Sequence, residues 1–396
     1  MTAAAARPRR ILPVIVLSQF AGTALWFAGN AVLEDVRRQW GLPLESLGYV
    51  TSAVQLGFIA GTLAFAFLAI ADLFSPRRVF LACALAGALC NAATVAFADG
   101  LGALLAWRFA TGFFLAGIYP VGMKIAAGWF QRDLGNALGF LVGALVLGTA
   151  FPHLLVGLGQ ALPWQTVMLA VSGVAALGGV LMWALVPDGP LLARGARFDP
   201  RALAVIFREP RFRASVFGYF GHMWELYALW AFLPLALAAH AQSAGTALNV
   251  PLWTFAVIAA GFAGCALGGL ASLRAGSAPV AFAQLAASGA CCLLSPLALH
   301  APTPVFLAFL LFWGVVVVGD SPQFSALNAA NAPRALVGSA LTIGNCIGFA
   351  ITIASIQLLN AAAPLVGATW LFLLLLPGPV LGLLALRPLL RAPAPA

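Results

Sequence analysis

The chain has 396 residues, of which 63% are hydrophobic and 8% charged, with 20 Lys and Arg against 11 Asp and Glu for a net charge of +9. Soluble domains carry roughly a quarter of their residues as charges, so this balance excludes a soluble globule and describes a polytopic membrane protein. The basic charge points to no nucleic-acid partner either, because the arginines are spread between apolar runs instead of clustering on a polar face.

Arg7, Arg9 and Arg10 precede the first apolar run, as in a signal peptide. That run, about 23 residues, exceeds the 7–15 of a signal-peptide apolar region, so it is expected to stay as a membrane helix. Twelve predicted spans follow in order, at 11–33, 47–71, 79–98, 102–127, 136–159, 164–186, 214–239, 250–272, 278–299, 304–327, 337–361 and 365–386. Most connections are short. The exception lies between spans 6 and 7, where Asp199-Pro200 reads as a helix cap followed by a first-turn proline. The stretch Arg201–Arg208 after it reads as a short amphipathic helix on the membrane surface. The predicted organisation is therefore a six-helix bundle over 1–186, a linker over 187–213 and a second bundle over 214–396, an all-α integral membrane fold.

Cationic residues orient the chain. With the N-terminus inside, inner segments hold 16 of them, including Arg132 and Arg334, and outer loops hold Arg37 and Arg38 alone. The bias places both termini in the cytoplasm. Arg far outnumbers Lys and Ala and Gly abound, the composition of a GC-rich bacterial genome, so the expected location is the cell inner membrane.

The halves repeat weakly. Residues 24–33, ALWFAGNAVL, align with 228–237, ALWAFLPLAL, at an offset of 204. Gly117-Ile118-Tyr119-Pro120 in span 4 and Gly319-Asp320-Ser321-Pro322 in span 10 stand the same distance before Arg132 and Arg334, at an offset of 202. Two six-helix pseudo-repeats are expected.

The polar residues inside the spans carry the chemistry. Glu225 lies roughly 18 Å along span 7 from Arg213, near the midplane of a hydrocarbon layer about 30 Å thick. Gly218, Gly221, His222 and Glu225 share one face of that helix, while Tyr227 and Trp230 point away. Such a face either meets a neighbouring helix closely or lines a wet cavity. Ionisable groups in the membrane mark function by default, and a structural ion pair is the competing reading. Asp320 lies a little nearer the cytoplasm in span 10. A carboxylate that alternates between dry and paired surroundings takes up and releases a proton. His222 either relays it or is simply hydrogen-bonded. Arg108, roughly 9 Å deep in span 4, pairs with an acid or carbonyls, or serves the site. Lys124 is expected to snorkel to the inner interface.

Polar stripes run through Gln19, Trp26 and Asn30 in span 1, Gln55 in span 2, Tyr119 in span 4, Gln323 in span 10 and Asn345 in span 11. They suit either a solute cavity with aromatic walls or small-polar helix packing. Spans 3, 6, 9 and 12, nearly free of polar groups beyond Asn91 and a few hydroxyls, are expected to face lipid. The six cysteines have no metal-site spacing and read as packing residues. No cofactor or metal is expected, and no nucleophile–base pair points to an enzyme.

With these residues in view, the chain resembles the major facilitator superfamily of secondary transporters along nearly its whole length. The loop after span 2 matches the family motif at Asp72, Arg77 and Arg78, with Leu68, Leu73 and Ser75 at its other positions, and span 4 carries R-x-x-x-G as Arg108–Gly112. The antiporter Gly-Pro dipeptide of span 5 is absent, with Gly143, Gly148 and Pro152 scattered instead. The resemblance implies a permease with alternating access, in which Asp72, Arg77 and Arg78 latch the halves in the outward-open state. It also implies that Arg108 takes part in proton coupling or holds an anion, and that spans 1, 2, 4, 5 and their counterparts line a central cavity. Spans 2 and 8 lack Arg and Lys, which argues against a nitrate-type porter. The expected function is proton-coupled transport of a small organic solute by a monomer in the bilayer; drug or metabolite efflux and a membrane receptor or enzyme are the alternatives.

Overall fold

The computed structural model describes residues 8–130, 134–159, 162–192 and 198–390, and the side chains of all these except 134–136. Arg7, Arg132, Arg194, Arg197 and Arg391, which entered the orientation argument, lie outside the described residues.

The described elements are helices, as a bilayer demands of a chain that must satisfy its backbone groups internally. Among the described residues the helices group into twelve spans. Spans 2, 3, 5, 6, 8 and 9 are single helices, Ser46–Phe67, Pro76–Phe97, Leu134–Leu158, Trp164–Leu185, Val250–Ala275 and Ser277–Leu299. Span 7, Pro210–Ala244, outruns the predicted 214–239 at both ends: Pro210 occupies its first turn, where a missing N–H costs nothing, and Gly245 at φ +60° terminates it.

Span 1 differs more from expectation. It is Ile11–Thr23, an unwound stretch, Ala28–Ala31 and then Leu33–Trp40. Apolar counting stopped at residue 33, but the helix continues as an amphipathic turn. Leu33 and Val36 are buried there, and Glu34 holds Arg37 at 2.8 Å and Arg38 at 2.9 Å. Spans 11 and 12 are also displaced. Val337–Leu371 runs on to a bend at Gly367, whose φ of +68° favours glycine, and Pro377–Leu390 completes the return.

Spans 4 and 10 are interrupted at the aligned motifs. Span 4 is Leu101–Leu115 and Tyr119–Trp129; span 10 is Thr303–Gly319 and Ser321–Asn331. In each, the motif proline sits in the first turn of the second segment.

Packing bears the repeat out. In the first half span 1 packs on spans 5 and 6, span 2 on 4, and span 3 on 4 and 6; spans 7 to 12 make the corresponding contacts. Between halves span 5 packs on 8 and span 11 on 2, two interfaces that the repeat exchanges. The fold is thus twelve membrane helices in two six-helix pseudo-repeats.

Call the end where span 1 begins and span 12 finishes proximal, and the other distal. Polar ties join the halves distally. Asn360 donates to the Glu45 carbonyl at 3.0 Å and accepts from Gly48 N at 3.3 Å; Gln357 donates to Ser52 Oγ at 2.7 Å; Asn249 donates to the Gly157 carbonyl at 2.9 Å. Proximally, the linker is strapped to span 4 by Trp129 Nε1 on the Pro187 carbonyl and Leu191 N on the Gly128 carbonyl. Phe198 meets Phe67 edge-on, and Asp199 N donates to Ser339 Oγ at 3.0 Å. The linker helix spans Ala202–Arg208, with Ala202 and Ile206 buried. Asp199 caps the turn before it by accepting from Arg201 N at 2.9 Å.

Candidate functional site

The unwound part of span 1 delivers Trp26 and Phe27 to the seam between the halves. Trp26 stacks on Tyr227 of span 7 and Phe349 of span 11, with centroids 5.8 and 5.5 Å apart, and Phe27 meets Trp230 edge-on. Phe58 closes on Phe349 at 4.5 Å. This aromatic layer is pinned by polar bonds between spans 1 and 2, from Trp26 Nε1 to Gln55 Oε1 at 3.3 Å and from Asn30 Nδ2 to Thr51 Oγ1 at 2.6 Å. The predicted Trp26, Asn30 and Gln55 are therefore brought together. Tyr219 donates to Asn345 Oδ1 at 2.9 Å, a bond that sequence reasoning missed on the tyrosine side.

A cavity of about 500 Å³ opens between the proximal parts of spans 5, 8 and 10. Its walls include Phe140, Phe262, Cys265, Gly269, Pro322 and Gln323, and none of its described lining residues is charged. Gln323 is thus a cavity residue, while Tyr119 starts the second segment of span 4, half-buried. The seam is tied distally, filled with aromatics in the middle and hollow proximally.

The ionisable groups lie behind these walls. On span 7 the four-residue face does meet neighbouring helices. A Cβ on Gly221 would come 2.4 Å from the Gly378 carbonyl oxygen of span 12, and one on Gly218 would come 2.8 Å from Leu386. Glu225, fully buried, turns to span 9, where Ser288 donates to Oε2 at 2.8 Å and Cys292 Sγ lies at 3.5 Å. Trp313 of span 10 donates in turn to Ser288 Oγ at 3.0 Å. His222 Nδ1 lies 2.8 Å from Asp320 Oδ1, both side chains fully buried. The imidazole N–H is not aligned on that oxygen, and neither ring nitrogen nor either carboxylate oxygen has a well-formed hydrogen bond. The contact is one of proximity.

Arg108 occupies the equivalent interior of the first half, fully buried. Its guanidinium donates to the carbonyls of Leu25 and Trp26, which the break in span 1 frees, and to Asn91 Oδ1 at 3.1 Å. Asn91 donates to the Met168 carbonyl and Ser172 Oγ, each at 3.0 Å. Asn91 therefore faces the bundle, not lipid as its span suggested. Its inward role and that of Ser288 were missed because a lone amide or hydroxyl in an outer span shows no partner in sequence. Lys124 does not simply snorkel: it donates to the Ala71 carbonyl and pairs with the Asp72 carboxylate. Arg77 donates to the Trp183 carbonyl at 3.2 Å, and Arg78 is exposed. These named contacts of the expected latch stay within the first half.

The sequence matches the family model described as Major Facilitator Superfamily over residues 14–356. The chain belongs to the major facilitator superfamily. Its described residues include helices long and apolar enough to cross a membrane, as a multi-pass member of that family requires. It is similar to the uncharacterized transporter YgaY of Escherichia coli O157:H7, 27% identical over 185 residues, 44% of this chain and 45% of the relative. It is 31% identical over 101 residues to the D-galactonate transporter of Escherichia coli O6:H1, 25% of this chain and 23% of that one. With the niacin transporter NiaP of Acinetobacter baylyi it shares 27% identity over 208 residues, 46% of this chain and 44% of the relative. The chain thus spans less than half the length of these curated relatives. The crystal structure of the human organic anion transporter MFSD10 superposes with a TM-score of 0.71 at 16% identity, covering 96% of this chain and 99% of that one. At that identity the likeness is one of fold.

Proposed function

We propose that this transporter carries a small organic solute across the bacterial inner membrane by alternating access, coupled to protons, with its proximal end and both termini in the cytoplasm. One observation carries the reading. Two pseudo-symmetric bundles meet along a seam tied at one end and hollow at the other, and three ionisable groups, His222, Glu225 and Asp320, lie buried beside it. Rocking the bundles about the span 5–8 and span 11–2 contacts exchanges the closed end for the open one. The arginine bias supplies the orientation. Relatives named for D-galactonate and niacin support a small organic solute.

In this reading Trp26, Asn30, Gln55, Tyr119, Gln323 and Asn345 meet the solute, aromatic faces giving area and amides giving orientation. Arg108 holds the unwound segment of span 1 against spans 3 and 4 and so fixes where Trp26 stands. Asp72, Arg77 and Arg78 act as a latch in the opposite, outward-open state, where the proximal ends of the bundles meet. The protein works as a monomer.

The test uses purified protein in liposomes with an imposed pH gradient and a panel of small organic solutes that includes nicotinate and D-galactonate. The expected result is saturable accumulation of at least one solute that collapses when the gradient is dissipated. A solute that raises the melting temperature of the protein yet only equilibrates across the liposome, gradient or not, refutes proton coupling.

A further inference from the structure

We infer that the His222–Asp320 pair, set in the interruption of span 10, is the proton switch that selects which end of the transporter is open, and that Glu225 is an anchoring acid outside that switch. The inference rests on the alternating-access reading above and names the group that drives it.

The internal repeat supplies a control. Asp320 aligns with Ile118 at the offset of 202, and His222 aligns with Ser18 at the offset of 204. Ile118 occupies the matching break in span 4, fully buried and packed so closely on span 1 that a Cβ on Gly22 would lie 2.6 Å from its Cγ2. The break is therefore built with an aliphatic side chain in one half, and a helix interruption at this place does not require a carboxylate. Burying one in the membrane is costly, so the acid and imidazole of the second half are present for something other than the bend.

The surroundings separate the two acids. Glu225 Oε2 has a hydroxyl donor on Ser288 that is itself held by Trp313, an arrangement spanning helices 7, 9 and 10 within one half, while Oε1 has no hydrogen-bond partner. Asp320 has no aligned donor and only the imidazole at 2.8 Å. It immediately precedes the segment Ser321–Asn331, which carries Pro322 and Gln323 into the cavity wall. Other titratable groups around it are few. Span 7 offers Glu225 and Tyr219 besides His222, and span 8 offers the Cys265 thiol. Span 9 offers the neutral Gln284 amide against Gly319. The nearest span 7 cation in sequence, Arg213, is roughly 13 Å further down the helix.

The step is a proton transfer without other chemistry. A proton from the proximal cavity adds to an Asp320 carboxylate oxygen, and the negative charge that faces His222 at 2.8 Å is lost. The second segment of span 10 is then free to move relative to span 7, and deprotonation at the other end restores the pair. Coupling needs two discrete arrangements of one element that both ligands bias, and a span divided at its own titratable residue is suited to supply them.

The experiment needs no solute. Spin labels are placed at Ala127 and Ala330 across the proximal ends, and at Arg38 and Ser243 across the distal ends, all exposed positions. Distance distributions are recorded in lipid nanodiscs from pH 5 to 9. In the parent protein acid should shorten the proximal distance and lengthen the distal one with a single midpoint. Asp320→Asn should remove the pH dependence, His222→Gln should move the midpoint by about one pH unit or more, and Glu225→Gln should keep the parent midpoint. An unchanged midpoint in both Asp320→Asn and His222→Gln, or its loss in Glu225→Gln, overturns the inference. The Asn360→Ala variant, which removes a distal tie, is the control for motion. If it opens the distal end while pH moves nothing, the switch fails and alternating access stands; if neither moves the bundles, both readings fall.

Discussion

Arg108 is a buried cation whose described hydrogen-bond partners are neutral, two carbonyl oxygens of span 1 and the Asn91 amide oxygen. Replacing it with Leu has two opposing effects. The three acceptors lose their donor, at about 1–3 kcal/mol each if nothing else satisfies them. Removal of the buried charge returns a desolvation penalty of several kcal/mol. The net of these is small beside either, so the single variant decides little. A double-mutant cycle of Arg108→Leu and Asn91→Leu isolates the bond, since the charge term enters both backgrounds and cancels. The bonds from Asn91 to Met168 and Ser172 cancel in the same way. A hydrogen bond from a charged donor is expected to contribute about 1.5–3 kcal/mol, roughly a 10- to 150-fold change in the unfolding equilibrium. The assay is reversible unfolding in mixed micelles at rising SDS fraction. A coupling below about 0.5 kcal/mol, the scatter of additive sites, would show that the bond holds nothing. The buried charge would then have to be explained by the transport cycle.

Two further outcomes follow from single contacts. Gly221→Ala places a methyl 2.4 Å from the Gly378 carbonyl oxygen, a backbone atom that moves only with span 12. Destabilisation of about 1–3 kcal/mol in the same unfolding assay is expected; a neutral result would mean the two helices are not so close. At the linker, hydrogen bonds from Arg201 hold the Asp199 carboxylate below its ordinary range. Since the lowered value belongs to the folded state, whatever this turn adds to linker docking is present above the ordinary carboxylate pKa and fades as pH falls through the lowered one. Carbon-detected NMR of labelled Asp199 should show titration below about 3.9, and the unshifted value in the folded protein would refute the capped turn.

The parts of this fold that a sequence reader recovers are those written in runs. Twelve apolar stretches are legible because each backbone must cross hydrocarbon as a helix, and the repeat is legible because Pro120 and Pro322 mark the same break twice. What the runs conceal is direction around the helix axis relative to neighbours that are distant in sequence. Arg108 and Asn91 are 17 residues apart and look unrelated until the break in span 1 frees the carbonyls that gather them. Glu225 and Ser288 belong to different spans, and nothing in an apolar run says that a serine on span 9 faces inward. Hydropathy ended span 1 at residue 33 because Glu34, Asp35, Arg37 and Arg38 end the apolar count, yet those same residues pair along a helix that Gly41 terminates at φ +65°. The unequal pair at the two breaks is informative for the same reason. Apolar Ile118 and ionisable Asp320 occupy corresponding places in the repeat, so an interruption there is shared and the charge is not. A difference that the fold does not demand is where a search for the coupling group should begin.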